Sequence, residues 1–464
     1  MKQAEIIFGD TGIQITMEGR KHLGAAIGTD EFKNSYVAEK IEKWNKLLYT
    51  LSKIAKTEPH MAYSLFVHGF RHKFTYIMRT IPNTEYLFKS VDKVIDEEFL
   101  PALFNGRKLT SQERELVALP TRLGGLGIII PSDNCNIQFE SSCAITKQLQ
   151  ERISTQKETL EINEAEVTKI ILEIKNNKDG RQINQAMEVY SKLDETKRRL
   201  VSCTSEKGAS SWLNALPLKC KDFHLTKNEF WDALNMRYGF QIKRLPSTCA
   251  CGKDFSIEHS LSCLKGGYVN LRHNTIRNQF AELLSEISTD VQLEPQLAEL
   301  TGENLKYKTS NKQNEARLDI SARNVWRFGD KAFFDVRVFN PTSKFYSKMP
   351  LKSAYVTNEK EKKREYNERI IKVEHGSLTP LVFSCYGGMS RECGAFFKHL
   401  TTMISEKRGD KYQDVCKLLR TKISFSLLRI SLICLRGYRG KPNHKDSFSD
   451  EDTLITNKEA RIQE

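Results

Sequence analysis

The sequence has 464 residues, of which 39% are hydrophobic and 28% charged, so it contains enough apolar residues for two to four folded domains. This composition argues against a wholly disordered chain. Lysine and arginine outnumber aspartate and glutamate by 72 to 58, which gives a formal net charge of +14. Such a balance favours a polyanionic partner, with nucleic acid ahead of a membrane surface.

Membrane and secretory features are missing from the sequence pattern. The most apolar run, 423–435, is interrupted by Arg429 and is shorter than the about 18 residues of a membrane span. The first twelve residues contain no apolar core of a signal peptide. Of the eleven cysteines, only Cys249, Cys251 and Cys263 cluster, which is typical of a reducing compartment with one metal site. We therefore expect a nuclear or cytoplasmic protein that is not secreted and has no membrane partner.

The start of the chain has the pattern of short strands. β-Branched runs at 6–8 and 12–16 flank a Gly-Asp turn, and a second turn at 17–20 precedes a third run at 21–28. These strands have no earlier partner in the sequence. The pattern therefore predicts part of a sheet that would need further strands.

A helical period follows the predicted strands. Apolar residues three or four positions apart predict helices that begin at Asp30, Ala62 and Ser90. Residues 144–200 are rich in lysine and glutamate and predict long surface helices. The polar tail 441–464 is predicted to be disordered.

A cysteine and histidine cluster follows at the spacing C-x-C-x7-H-x3-C, formed by Cys249, Cys251, His259 and Cys263. Zn²⁺ prefers four tetrahedral nitrogen and sulfur ligands, and Gly252 allows the tight turn that two close thiolates need. Four protein ligands leave no position for chemistry, so the pattern predicts a structural Zn²⁺ site. The alternative interpretation is a set of buried cysteines with a surface histidine.

Two acidic residues lie in predicted neighbouring strands. The runs 317–323 and 332–338 are separated by a turn at 327–330, and a hairpin between them places Asp319 opposite or diagonal to Asp335. Two converging carboxylates repel each other unless a cation lies between them, and Mg²⁺ is the hard, oxygen-seeking candidate. The alternative is that these aspartates cap turns or pair with arginines.

The elements around this hairpin have a recognisable order. An amphipathic helix over 272–287 and a strand at 291–294 precede it, and a basic helix over 354–373 and a strand at 380–384 follow it. The PD-(D/E)XK nuclease core has this order of elements: a helix, three strands, a helix and a strand. We therefore expect a mixed α+β fold with a helical N-terminal region, a small zinc knuckle and an α/β domain around a central mixed sheet.

The cluster at 249–263 leads directly into this helix and two-aspartate hairpin, as in the C-terminal part of non-LTR retrotransposon reverse transcriptase proteins that carry a restriction-like endonuclease. The sequences FFDVRVFNP at 333–341 and NEKEKKREYNER at 358–369 resemble those of retroelement-derived proteins. GRKHLG at 19–24 is similar to a primer-grip hairpin, and 31–130 resembles the thumb and connector that follow it.

The resemblance implies a domain order and a chain truncated after the polymerase active site. A Tyr-x-Asp-Asp-like turn is not found in the sequence, so we expect no polymerase activity. The implied domains are a palm and primer-grip remnant at 1–30, a helical thumb and connector at 31–240, a CCHC zinc knuckle at 241–268, a restriction-like endonuclease domain at 269–440 and the tail at 441–464.

The resemblance also implies the catalytic residues. Asp319 and Asp335 match the two carboxylates that bind the catalytic Mg²⁺. Arg337 stands where the family has a lysine, two residues after the second acid, and an arginine stabilises charge but is a poor base. The other candidates are Lys352, Lys362 or Lys363 for the lysine, Tyr366 for a position near the phosphate, and Glu282 or Glu286 for the first-helix acid.

The sequence leads to three hypotheses about function. The first hypothesis is a metal-dependent DNA endonuclease that nicks phosphodiester bonds, with an RNA template or an RNA–DNA duplex as a further candidate partner. The alternative is a catalytically inactive nucleic-acid-binding retroelement relic, which Arg337 favours. A third is a chain without a stable N-terminal domain, because its first predicted strands lack their sheet.

Overall fold

The computed structural model describes residues 2–12, 15–156, 162–288 and 290–439. It is a mixed α+β protein, about 59% helical with a small mixed sheet, which confirms the predicted class at this level. Contacts divide the chain into two compact units. Unit 1 comprises Met1–Leu193 with Leu216–Trp231, and unit 2 comprises Asp194–Ala215 with the residues from Asp232 onward.

Unit 1 is built mostly of helices with one small hairpin. Its elements begin with α1 (Lys2–Phe8), β1 (Gly19–His22), β2 (Ala25–Gly28), α2 (Asp30–Ala55), α3 (Pro59–Leu65), α4 (His72–Thr80), α5 (Glu85–Val94) and α6 (Leu100–Leu103). They continue with α7 (Ser111–Ala118), α8 (Pro131–Thr155) and α9 (Glu164–Ser191). π-Helical turns at Phe66–Phe70 and Ile95–Phe99 join α3 to α4 and α5 to α6.

The prediction of strands at the start of the chain is wrong. Residues 6–8 lie in α1, and a 3₁₀ turn follows at Gly9–Thr11. Residues 13 and 14, in the second predicted strand, lie outside the described residues. Ile6 and Ile7 are exposed. β-Branched residues favour a strand mainly where a neighbouring strand is available to pack against, and the exposed Ile6 and Ile7 do not pair with one.

A hairpin is present slightly later than the predicted turn at 17–20. β1 and β2 pair from Gly19 opposite Gly28 to His22 opposite Ala25, so the turn lies at Leu23 and Gly24. Both turn residues have positive φ, 47° and 83°. Two positive φ angles in a two-residue turn match the right-handed twist of the flanking strands.

The first predicted helix is confirmed, and its buried face is well defined. Thr29 caps α2, since its hydroxyl accepts the N–H of Phe32 at 3.3 Å. Trp44 lies at the centre of the buried face, with its ring 5.3 Å from that of Phe74 and 6.2 Å from that of Phe88. The buried apolar residues of α2 are Tyr36, Val37, Ile41, Trp44, Leu48, Leu51 and Ala55.

The long surface helices predicted over 144–200 are confirmed in α8 and α9. Only two residues of α8, Pro131 and Cys135, and two of α9, Ala186 and Val189, are buried among those described. Both helices are therefore mostly solvated. Within the described ranges, none of the helices combines the length and apolar content of a membrane span.

The remaining elements include the mixed sheet and the helices around it. They begin with α10 (Glu195–Thr204), α11 (Lys227–Tyr238), α12 (Ile257–Ser260), α13 (Tyr268–Ser285), β3 (Val291–Leu293), β4 (Ile320–Arg323), β5 (Lys331–Phe339) and α14 (Leu351–Lys362). They end with α15 (Glu368–Lys372), β6 (Ser377–Ser384), α16 (Arg391–Arg408) and α17 (Tyr412–Arg436). A π-helical turn at Lys363–Asn367 joins α14 to α15. The tail predicted at 441–464 lies outside the described residues.

The sheet has the strand order β3-β4-β5-β6, in which the first two pairs are antiparallel and the last is parallel. The predicted hairpin is confirmed, with Ile320 opposite Phe334. Helices cover both faces. Phe334 packs against Phe396 of α16, with ring centroids 4.6 Å apart, whereas the neighbouring Phe333 shares a core with Ile370 of α15 on the other face.

One end of β5 has no strand on its β4 side. β4 begins at Ile320, so the last five residues of β5 pair with β6 alone. On this stretch the N–H of Val336 donates to Oδ2 of Asp319 at 2.6 Å, and the carbonyl of Val338 accepts from Nη2 of Arg272 at 3.5 Å. Two side chains therefore satisfy backbone groups that a longer β4 would otherwise bind.

Arg369 anchors the long connection between β3 and β4. Its side chain is fully buried in α15. Its guanidinium donates to the carbonyls of Gln313 at 2.7 Å, Ala298 at 2.9 Å and Asn311 at 3.1 Å. This connection ends at Asp319, so Arg369 fixes the approach of the chain to the start of β4.

Candidate functional site

The four predicted metal ligands lie together. Cys249, Cys251, His259 and Cys263 each offer one ligand atom, and these atoms all lie within 4.8 Å of one another. The sulfurs of Cys249 and Cys263 are 3.8 Å apart, and the sulfur of Cys251 is 3.3 Å from Nε2 of His259. This Cys₃His cluster could hold a metal ion such as zinc.

The local fold of the cluster follows from its turn and its cap. Thr248 and Asp254 form an antiparallel bridge, and Gly252 has a φ of 82° in the turn between them. Ser256 caps α12 by accepting the N–H of His259 at 3.0 Å. The turn thus presents two thiols, and the short helix presents the histidine and Cys263. We call the segment 249–263 the knuckle.

Asp319 and Asp335, which we call the acidic pair, lie opposite each other. Continuing the register of β4 and β5 by one residue beyond Ile320 brings the two together. Oδ1 of Asp319 is 2.8 Å from Nε2 of His273 in α13, and Oδ2 accepts the N–H of Val336. The sequence-based expectation that the two carboxylates converge is therefore confirmed as geometry.

Asp335 is the more enclosed member of the pair, at 4% exposed. Nζ of Lys362 lies 3.0 Å from its Oδ2. The Lys362 ammonium is therefore the ion-pair partner of this buried oxygen, although the contact does not meet strict hydrogen-bond angles. A carboxylate oxygen has more than one lone pair, so Oδ2 could contact a bound ion and Lys362 together.

The electrostatics of the pair are unequal. Burial raises the pKa of Asp335; Lys362 opposes this shift and the charge of Asp319 adds to it. Burial also opposes ionisation of Asp319, but the hydrogen bond and charge of His273 outweigh it, so its pKa is lowered. The pKa of Asp335 is thus raised and that of Asp319 lowered, as expected for two neighbouring carboxyl groups of which one is the more buried.

Among the predicted lysines, Lys362 alone contacts the acidic pair in the described residues. Lys352 is exposed on α14. Lys363 points elsewhere, with its Nζ 2.6 Å from Oε1 of Glu392. One residue of separation rotates a side chain by about 100° on a helix, which explains why two adjacent lysines have different partners.

Arg337 contacts α14. Its side chain is exposed, and its Nε donates to Oδ1 of Asn358 at 3.3 Å. Asn358 lies four residues before Lys362 on α14, so Arg337 contacts the same helix about one turn away from the lysine, and its role stays a prediction. Tyr366 lies beside Lys362, whose Nζ is 5.9 Å from the centre of its ring, and its hydroxyl accepts from Nδ2 of Asn311 at 3.5 Å.

The structure does not bring either candidate for the first-helix acid to the acidic pair. Glu282 is exposed, and it lies nine residues from His273, on the opposite side of α13 and about 13 Å along its axis. Glu286 pairs with Arg408 at 2.5 Å. The residue of this helix that reaches the acidic pair is His273, which the sequence interpretation did not include.

A signal for His273 is present in the sequence. It lies three residues before Ile276 and seven before Phe280, so it shares their inward helical face. Ile276 and Phe280 are fully buried. A histidine on the inward face of a helix that precedes an acidic hairpin would therefore have been a reasonable candidate.

No model of a known protein family matches the sequence, and comparison with curated proteins gives no match either. The resemblance to retrotransposon proteins therefore stays a prediction that depends on the motifs described above.

Proposed function

We propose that unit 2 contains a metal-dependent endonuclease of the PD-(D/E)XK type, with Asp319 and Asp335 as the metal-binding acids. The observation on which this depends most is the meeting of these carboxylates with Lys362 at the end of a short hairpin. An acid pair with a lysine is the catalytic set that the resemblance implies. In this proposal Lys362 of α14, which contacts Asp335, takes the role of the family lysine.

The residues fit a hard divalent cation. Mg²⁺ commonly binds one or two protein carboxylates and completes its coordination with waters and substrate phosphates. Asp319 and Asp335 offer oxygen ligands, and Oδ2 of Asp335 could use a second lone pair for such an ion beside its contact with Lys362. When bound, the ion would polarise a phosphodiester and lower the pKa of an attacking water.

The protein residues have separate tasks in this proposal. His273 and the N–H of Val336 hold the carboxylate of Asp319 from two sides, which fixes its orientation. Lys362 supplies a positive charge beside the reacting phosphate, and Tyr366 lies next to it on the same helical segment. Preorganised donors of this kind stabilise charge that develops in the transition state.

We further propose that the knuckle binds one structural Zn²⁺ and that the partner is DNA. The cluster of three thiols and one imidazole is a set that zinc prefers, and it has four ligands, which closes the site to substrate. Lys352, Lys360 and Arg364 of the helical segment around Lys362 are exposed. Together with the net charge of +14, they favour contacts to a phosphate backbone.

The test is nicking of supercoiled plasmid by the purified full chain in Mg²⁺ or Mn²⁺. We expect nicking by the natural protein and none by Asp335→Asn, which preserves the shape of the side chain and removes the charge. Asp330→Asn is the matched control, because Asp330 is an exposed aspartate of the same hairpin. Undiminished nicking by Asp335→Asn would remove Asp335 from the mechanism.

One observation favours a second function, that of an inactive nucleic-acid-binding retroelement relic. Asp335 is almost fully buried, and Lys362 already neutralises it without a metal ion. DNA binding that falls steeply with salt, without cleavage in any divalent metal, would support this alternative.

A further inference from the structure

We propose that metal loading of the knuckle positions the acidic pair, and that Arg272 and Asn340 are the positioning residues that connect the two sites. This inference rests on the zinc site and the nuclease centre proposed above. All the contacts involved lie in unit 2, between the knuckle, the first turns of α13 and the end of β5.

Arg272 makes the first connection. Its side chain is 2% exposed, although it is an arginine. Nη1 donates to the carbonyl of Leu261 at 3.1 Å, inside the knuckle, and Nη2 donates to the carbonyl of Val338 at 3.5 Å, at the unpaired edge of β5. A buried arginine is costly unless its donors are satisfied, and because Nε has no hydrogen-bond partner among the described residues, the bonds to these two carbonyls are the ones that hold the guanidinium in place.

Asn340 makes the second connection from the residue that follows β5. It is 5% exposed, and its Nδ2 donates to the carbonyl of Glu258 at 3.1 Å and to Oγ of Ser262 at 2.9 Å. Its Oδ1 accepts the N–H of Thr342 at 3.1 Å, which fixes the amide in this orientation. Asn340 therefore holds the residues immediately before His259 and Cys263.

The two connections converge on the acidic pair. Arg272 is followed directly by His273, which contacts Asp319, and the carbonyl that Arg272 holds is three residues beyond Asp335 on the same strand. The N–H of Val336, which binds Asp319, lies between these points. A displacement of the knuckle would therefore change the position of both His273 and β5.

The knuckle has little regular secondary structure of its own: a bridge between Thr248 and Asp254, and one helix of four residues. Leu261 is fully buried, and the carbonyl of Ser260 accepts from Nη2 of Arg439 at 3.1 Å, so one side of the knuckle is also held by packing. A metal ion would cross-link its turn to its helix, and small metal-bound segments owe their folded state to such ions. Loss of the ion would release the carbonyls of Glu258 and Leu261 from fixed positions, and Arg272 and Asn340 would lose their partners.

Hydrogen–deuterium exchange on the full chain tests the connection directly. Protein loaded with one equivalent of zinc is compared with protein treated with a chelator. We expect the amides of β5 to exchange about tenfold faster without zinc, since losing a hydrogen-bond partner changes an opening equilibrium by about that factor. We expect α16 and the part of α17 away from the knuckle to keep their protection.

Variants separate the connection from the metal site. Arg272→Lys and Asn340→Asp, with zinc still bound by elemental analysis, should reproduce the faster exchange of β5. The matched control is Arg237→Lys, because Arg237 is a buried arginine of the same unit whose Nη1 binds Ser210. We expect this control to leave β5 exchange unchanged.

Three results would overturn the inference: failure of the chain to bind zinc, unchanged exchange of β5 after zinc removal, or an equal loss of protection throughout unit 2. The exchange measurement does not require cleavage, so it remains decisive if the protein has no nuclease activity. If nicking is observed, Arg272→Lys should also raise the Mn²⁺ concentration for half-maximal rate by about tenfold, the lower end of the effect of losing an indirect metal-site contact.

Discussion

Nζ of Lys362 lies 3.0 Å from Oδ2 of Asp335, although the two residues are on different elements, α14 and β5. Of the three lysines that the sequence offered, this contact distinguishes Lys362. Its neighbour Lys363 binds Glu392 instead. Lys362 is therefore the residue to substitute, and Lys363, one residue away, is its matched control.

We expect Lys362→Ala to lower the single-turnover rate of plasmid nicking by about a hundredfold, the usual effect of removing one charged or hydrogen-bonding group from a transition state. Lys363→Ala should change the rate by less than about threefold, because its partner is Glu392 and not the acidic pair. Equal rates for both variants would exclude Lys362 from the chemistry. Circular dichroism of each variant checks that both are folded.

Zinc content should depend on the cysteines of the knuckle. We expect the purified protein to contain one equivalent of zinc by elemental analysis and Cys251→Ser to contain little, because one of four ligands has been lost. Cys220→Ser is the control, since Cys220 is an exposed thiol outside the cluster. A natural protein without zinc would contradict the assignment of the metal.

The free energy of unfolding of unit 2 should decrease as the pH rises, because of Glu206. Burial raises the pKa of Glu206 to about 7, from the ordinary 4.5, and the hydroxyl of Tyr355 donates to its Oε2 at 2.7 Å. Between these two values the folded state binds more protons than the unfolded state, so the free energy of unfolding falls as pH rises from 4.5 to 7. This pKa shift corresponds to a loss of at most about 3 kcal/mol in the free energy of unfolding.

We expect Glu206→Gln to remove this loss, because the amide keeps the acceptor for Tyr355 and has no charge. Urea unfolding at pH 5 and pH 8 measures the effect, with the exposed Glu282→Gln as the control. A pH dependence that is the same in Glu206→Gln and in the natural protein would show that Glu206 is not its source.

Local spacing was enough to predict the knuckle and the hairpin. The ligand set of the knuckle is contained in fifteen residues, and Asp319 and Asp335 belong to strands joined by a short turn. In both cases the contacts are formed by residues close in sequence, and the periods of turn, strand and helix determine them. The sequence leaves the register between β4 and β5 open as opposite or diagonal, and the structure decides it with Asp319 opposite Asp335.

Contacts between distant segments could not be predicted in the same way. Lys352, Lys362 and Lys363 were equal candidates, because the choice depends on the phase of α14 over the sheet. At the N-terminus, the β-branched Ile6 and Ile7 favoured a strand, whereas the chain forms α1. The secondary structure of a short exposed segment of this kind is decided by its surroundings. The helix and strand propensities of its residues differ by only about 0.5 kcal/mol each.

The π-helical turn at Lys363–Asn367 has a consequence for the tolerance of this chain to insertions and deletions. A π-turn accommodates one residue more than an α-helix would. Lys362 before it reaches Asp335, and Arg369 after it holds three carbonyls of the connection that leads to Asp319. Removing a single residue from this turn would leave a regular α-helical turn, so Lys362 and Arg369 would keep nearly the same relative orientation and both contacts could persist. Inserting a further residue would instead rotate one end against the other by about 100°, so that only one of these contacts could persist.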